Sequence, residues 1–308
     1  MKQIENAVIV GMGALGLLFG EKIQKNIGKE HLCYLMDAER RQRHVKDVYT
    51  VNREEIHFRT ATPEQISTPV DLVIVATKYG GLRDARDMLR NVVSEDTILV
   101  SLLNGITSEE ILAETIPRKQ ILNAVAIGMD AVRDGTALSY ENEGRWQIGT
   151  AVPGQEERLT ALTAFLDRAG IAYEVCEDIQ RAMWNKFMIN VGINQTCMVY
   201  ETNYGGATAQ GPALEEMKEA MREVIRIAAA ENVVLTAEDL EKDLNILRSL
   251  NPELFPSMRQ DALAGRKSEV ELFAGTVIRL AEKHGISVPV NTRYYEAIQA
   301  MEKHLTGK

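Results

Sequence analysis

Cysteine is scarce: Cys33, Cys176 and Cys197 are the only three in 308 residues, with no CxxC pair and no even set of close spacings. A disulfide scaffold is therefore not expected, and a reducing compartment is. Long apolar runs are missing too. No segment approaches the roughly 18 uninterrupted apolar residues of a spanning helix. The opening MKQIENAVIVGMGALG meets glycine too soon to supply the apolar core of a signal peptide. These features lead us to expect a cytoplasmic protein that does not engage a membrane. Positive charge is in deficit, with 35 Lys and Arg against 44 Asp and Glu and a net charge of -9. That balance argues against nucleic acid and anionic lipid as partners. It leaves a small anionic substrate open, because a local pocket can oppose the global charge. His31, His44, His57, His284 and His304 form no HExxH or other ligand cluster, so no metal site is expected.

What is present is a repeated alternation. Ala7 to Val10 is a short apolar strand followed at once by a glycine turn, and Ala14 to Ile27 reads as a helix. Leu32–Met36, Asp71–Thr77 and Thr97–Leu102 are further short apolar strands, the last ending before an Asn104-Gly105 turn. Short buried strands separated by amphipathic helices predict a mostly parallel, doubly wound sheet. Between Ile121 and Ile148 the pieces become β-prone and are punctuated by Asp134-Gly135 and Glu143-Gly144, which predicts antiparallel strands added to that sheet. After Glu177 the β signals fade. Arg181–Val199, Pro212–Asn232, Ala237–Leu250 and Glu269–His284 all read as helices. The expected fold class is α/β: a Rossmann-like, doubly wound domain over residues 1–176 and a mainly α-helical substrate-binding domain over 177–308. The active cleft is expected where the second domain faces the carboxyl ends of the strands.

Gly11, Gly13 and Gly16 form G-x-G-x-x-G directly after the first strand. The first permits a tight turn, the second lets backbone approach a pyrophosphate, and the third allows close helix-to-sheet packing. With Met12, Ala14 and Leu15 they make up the expected cofactor turn, whose helix N-terminus can offer N–H groups to phosphate oxygens. A glycine triplet alone is weak evidence; here strand, turn, helix and second strand occur in the right order. No second dinucleotide element of the kind flavin enzymes use is found later in the chain.

In WNKFMINVGINQT, Lys186, Asn190 and Asn194 fall at i, i+4 and i+8 along one slowly rotating helical stripe. The stripe covers about 12 Å, and apolar Phe187, Ile189, Val191 and Ile193 surround it. Such a stripe can line a polar cleft. During ketone reduction negative charge appears on oxygen, and Lys186 can stabilise it and donate the proton. The plainer alternative, a snorkelling lysine beside structurally bonded asparagines, stays open on these residues alone.

The sequence resembles the ketopantoate reductase (2-dehydropantoate 2-reductase) family. The resemblance runs through GMGALG, Thr77-Lys78, LLNG at Leu102–Gly105, WNKFMINVGINQ, SMRQDALAGRKSEVELFAG at Ser257–Gly275, and HGISVP. It implies reduction of 2-dehydropantoate to (R)-pantoate with NADPH, a step toward pantothenate and coenzyme A. It places Lys186 on the catalytic lysine and Glu269 on the acid that orients it. Asn190 and Asn194 fall on substrate-binding asparagines and Ser257 on the serine that holds the carboxylate. Asn104 falls between substrate and cofactor, and Lys78 beside the cofactor. Read without the resemblance, Ser257 can be a helix cap, Asn104 a turn residue, Lys78 an exposed strand-end lysine and Glu269 part of a solvated face. At the position where some relatives carry a further substrate-binding asparagine stands Tyr204, with Asn203 adjacent. The alternatives are a reductase of another branched 2-keto acid by the same apparatus, and a dinucleotide-sensing protein without catalysis. A homodimer is compatible with the chain, but isolated apolar residues define no interface.

Asp37 follows the second strand about 20 residues after the fingerprint, where an acid accepts hydrogen bonds from the ribose 2′-hydroxyl of NADH. A 2′-phosphate would meet like charge there unless Arg40 or Arg41, which begin the next helix, gripped it. The expectation is NADPH held with the help of Arg40, with NADH as the alternative.

Overall fold

The computed structural model describes residues 3–306, which fall into two compact units, one through Ala182 and one from Met183. The first carries twelve strands. In chain order they are β1 (Ala7–Val10), β2 (Leu32–Leu35), β3 (Tyr49–Val51), β4 (Glu54–Ile56), β5 (Thr60–Ala61) and β6 (Leu72–Val75). They continue with β7 (Ile98–Ser101), β8 (Ile121–Met129), β9 (Val132–Asp134), β10 (Ala137–Ser139), β11 (Glu143–Gly149) and β12 (Tyr173–Val175). Five helices connect them: α1 (Ala14–Asn26), α2 (Ala38–His44), α3 (Leu82–Leu89), α4 (Ser108–Ala113) and α5 (Glu156–Ala169).

The main sheet runs β12-β11-β8-β7-β6-β1-β2-β5. Every pairing from β8 across to β5 is parallel, and the only antiparallel neighbours in it are β8 and β11. The chain leaves β1 toward β2 on one side and later returns to add β6 on the other. The order therefore reverses beside β1, the place where open α/β sheets bind ligands at the carboxyl ends of their strands. Alternation of side chains explains why these strands read as unbroken apolar runs: both faces are covered. Ala7 and Ile9 of β1 join Leu72 and Ile74 of β6 in a core with Phe19, Trp146 and Phe165. Val8 and Val10 join Val73 and Val75 in the opposite core with Leu82, Leu89 and Leu112. Phe19 and Trp146 meet edge to face, with centroids 5.1 Å apart.

The expected antiparallel addition divides in two. β8 and β11 extend the main sheet, but β9 and β10 leave it and join β3 and β4 in a separate four-stranded sheet, ordered β4-β3-β10-β9. Residues 49–56, which carry no strong period, supply the other half of that small sheet.

The second unit is helical. It contains α6 (Ile179–Val199), which starts just ahead of the boundary, α7 (Tyr204–Thr208), α8 (Pro212–Ala230) and α9 (Ala237–Ser249). α10 (Ser257–Leu263), α11 (Thr276–His284) and α12 (Pro289–Thr306) follow. Glu269–His284, expected as one helix, begins differently: Glu269 precedes a π-helical turn over Glu271–Gly275, and regular α-helix starts only at Thr276. A buried polar network explains the irregular turn. Gln195 of α6 accepts the Ala274 N–H at 3.0 Å and donates to Asn291 Oδ1 at 3.0 Å and to Val191 O at 2.9 Å. Asn291 in turn donates through Nδ2 to Glu223 at 2.7 Å, and the same carboxylate accepts the Val290 and Asn291 N–H groups at the start of α12. Phe273 is carried by the π turn to the ring of Phe187, 6.5 Å between centroids.

Candidate active site

The dinucleotide turn is built by sterics. Gly11 has φ +112°, and a Cβ there would lie 2.4 Å from the Ala76 carbonyl oxygen. A Cβ on Gly16 would lie 2.1 Å from Gly11 O, so α1 can approach the turn only without a side chain. Gly13, the N-cap of α1, has no side-chain cap on the helix's first N–H groups, and its own Cβ would meet nothing nearer than 3.7 Å. The turn thus keeps open backbone donors and an open approach, as a pyrophosphate requires. Next to it, Thr77 Oγ1 is buried with no hydrogen-bond partner among the described residues. Tyr34 Oη donates to Gly16 O at 2.7 Å and locks α1 to β2. These features fit a dinucleotide. Met12, Ala14 and Leu15 occupy the same turn and first helical turn, all half-buried.

Asp37 is exposed and is the N-cap of α2, its Oδ1 accepting the Arg40 N–H at 2.7 Å. The two arginines behind it part company. Arg41 donates from Nε to the Thr60 carbonyl at 3.1 Å, which ties its side chain to β5. Arg40 is exposed. Lys78 is exposed at the N-cap of a short 3-10 turn (Tyr79–Gly81), and Asn104 is half-buried in the turn after β7, ahead of Gly105 with φ +97°.

In the helical unit, Lys186, Asn190 and Asn194 line one side of α6, as their spacing predicts. Burial pushes the Lys186 ammonium down to about 8, against the opposing pull of the Glu269 carboxylate. Asn194 is buried, and its Nδ2 donates to Asn190 Oδ1 at 3.3 Å. Its own Oδ1 accepts from the Met258 N–H at 3.1 Å and the Ser257 hydroxyl at 3.3 Å. Ser257 is therefore no cap: Pro256 holds the N-cap position of α10, and Ser257 stands at the first helical residue, joined to the asparagine stripe. Asn190 Nδ2 is buried with no hydrogen-bond partner among the described residues. An unmet donor of that kind costs about 1–3 kcal/mol, and a ligand oxygen would meet it. Glu269 is half-buried. Asn203 caps α7, accepting the Gly206 N–H at 2.9 Å, so its side chain is committed. Burial pushes the neighbouring Tyr204 hydroxyl up to about 12, which keeps it a neutral donor.

Gln195, Asn291 and Glu223 escaped the sequence reading. Only Gln195 was foreseeable, as the next polar residue after Asn194. The others lie 96 and 28 positions from Gln195 along the chain, and only the fold joins them.

The ketopantoate reductase PanE/ApbA family model matches residues 7–152, and its C-terminal model matches residues 178–302. The chain belongs to the ketopantoate reductase family. Membership makes it an oxidoreductase that uses a nicotinamide dinucleotide. Its relatives include the 2-dehydropantoate 2-reductases of Halobacterium salinarum, 28% identical over 92% of this chain and 94% of that one, and of Streptococcus pyogenes serotype M1, 25% identical over 96% and 97%. In fold it resembles a D-mandelate dehydrogenase solved with NADH and anilino(oxo)acetate, with TM-score 0.85, 21% identity and coverage of 97% and 99%. It also resembles the 2-dehydropantoate 2-reductase of Geobacter metallireducens, with TM-score 0.84, 24% identity and coverage of 96% and 99%. Among the described residues, no helix is long and apolar enough to cross a membrane.

Proposed function

We propose that this protein reduces 2-dehydropantoate to (R)-pantoate with NADPH. The observation that carries the reading is the polar stripe of α6: a lysine whose ammonium is pushed down to about 8, a buried amide donor without a partner among the described residues, and an asparagine bonded to Ser257. When bound, the dinucleotide supplies a hydride to the C2 carbonyl. The residues do the rest. Ser257 holds the substrate carboxylate, Asn190 and Asn194 engage its distal hydroxyl, and Asn104 helps align ketone and cofactor. Lys186 donates its proton to the carbonyl oxygen as charge develops, and Glu269 orients and favours its ammonium. No metal is required by this chemistry. Lys186→Ala is expected to lower kcat far more than cofactor affinity, and unchanged turnover would overturn the assignment. Glu269→Ala should impair turnover and substrate binding together.

A second substrate reading, another branched 2-keto acid, is favoured by the commitment of Asn203 to its helix cap, with Tyr204 beside it. A second cofactor reading, NADH, is favoured by Asp37 at the end of β2 and by the attachment of Arg41 to Thr60. A panel of 2-keto acids with each reduced cofactor, followed by nicotinamide absorbance, decides both. We expect the highest kcat/KM for 2-dehydropantoate with NADPH. A tenfold advantage for another acid, or for NADH, overturns the respective half, and binding without turnover of any acid favours a sensor.

A further inference from the structure

The small sheet of β3, β4, β9 and β10 has no part in the reaction just described, yet two of its side chains converge on the dinucleotide turn. Arg133 of β9, half-buried, donates from Nη1 to the carbonyl of Met12, the residue between Gly11 and Gly13. Its Nε donates to Gly135 O at 2.8 Å, which fixes the guanidinium on its own hairpin. The ring of Tyr49, buried on β3, lies 6.0 Å from the guanidinium carbon. The Tyr49 hydroxyl meets Met12 Sδ at 3.6 Å. Met12 is thus held at its carbonyl by one strand and at its side chain by another.

The arginine has more capacity than this bracing uses. A guanidinium carries five donors, and among the described residues the bonds of Arg133 use only Nε and Nη1. Among the described residues, Arg133 takes part in no ion pair and no carboxylate lies within salt-bridge distance of it. This half-buried cation, with no carboxylate beside it, stands at the turn whose backbone is open to a pyrophosphate and favours an anion there. We propose that Arg133 is a dinucleotide-binding residue: it holds the Met12 carbonyl with one arm and offers its charge and remaining N–H groups to the diphosphate. Tyr49 stacks beneath it as the positioning residue. The proposal rests on the nicotinamide-dependent reading above, and it concerns the part of the ligand that NADPH and NADH share.

Binding of NADPH and of NADH to the full-length protein is measured by nucleotide fluorescence, without keto acid, for wild type and for R133A, R133Q and R133K. R133A is expected to weaken both cofactors by the same factor, tenfold or more, leaving their ratio unchanged. R133K, which keeps the charge, should retain more affinity than R133Q, and added salt should weaken wild type more than R133A. Should R133A fold poorly, the order of the Lys and Gln variants carries the same test. Unchanged affinity in R133A, a loss confined to NADPH, or Gln equalling Lys overturns the proposal; the last would leave Arg133 as a brace of Met12 alone. Wild type that binds dinucleotide but reduces no keto acid sinks the proposed reaction and leaves Arg133 judged by its own variants. Wild type that binds neither cofactor overturns both.

Discussion

The rate of keto acid reduction is expected to fall above pH 8, and the reason lies in the burial of one ammonium. Lys186 is pushed down to about 8 by its surroundings, with Glu269 pulling the other way. With a pKa there, roughly nine-tenths of the side chain is charged at pH 7 and about one-hundredth at pH 10. Reduction needs the proton, so kcat/KM should drop about tenfold per pH unit on the alkaline side, reporting the free enzyme's group. Oxidation of the 2-hydroxy acid needs the neutral amine and should rise over the same interval. Glu269→Gln removes a charge that favours the ammonium, so the alkaline limb should move to lower pH as well as lose height. Steady-state kinetics in both directions between pH 6 and pH 10 (about the range in which protein and cofactor can be handled) measure all three effects. A reduction profile flat to pH 10, or an alkaline limb that survives in Lys186→Ala, would refute the assignment of the proton to Lys186.

Glu109, buried in α4 with one carboxylate oxygen bonded to Ser108, is pushed up to about 7 by burial. The folded protein therefore holds a proton that the unfolded chain has released, and stability should decline as pH rises from about 4.5 to about 7. Glu109→Gln should flatten that decline and raise the melting temperature at pH 8, and a variant less stable than wild type at pH 8 would contradict it. Asp37→Ser keeps an N-cap acceptor for α2 while removing the charge, so it should shift kcat/KM toward NADPH. Arg40→Ala should shift it toward NADH, and Arg41→Ala should leave the ratio near wild type; equal losses with both cofactors would mean that the ribose is not read here. Glu223→Ala strips the partner from two backbone N–H groups and the Asn291 amide. It should cost at least about 2 kcal/mol in urea unfolding, and a neutral result would show that the network is dispensable.

The glycine turn, its strands and its helix were legible because each rests on local spacing. A parallel strand covered on both faces is an apolar run, and Gly16 is demanded by a contact with Gly11 inside the turn itself. The contact that demands Gly11, with the Ala76 carbonyl after β6, shows in the sequence only through the spacing of the glycines. The polar stripe of α6 was legible for the same reason, since i, i+4 and i+8 share a side of any helix. Strands of three residues with mostly exposed side chains, such as β4 and β9, have too few positions to show a period. The sequence therefore could not say that β9 and β10 leave the main sheet. Nor could it choose between two adjacent arginines: Arg41 is withdrawn by a carbonyl on β5, and Arg40 is not. The π turn ahead of α11 follows from Gln195, 79 residues away, taking the Ala274 N–H. Arg133 reaches Met12 across 121 residues. Spacing along the chain encodes periodicity and turns, which alone settle the elements. Pairings over such separations carry no local signal, and they appear only once the core has closed.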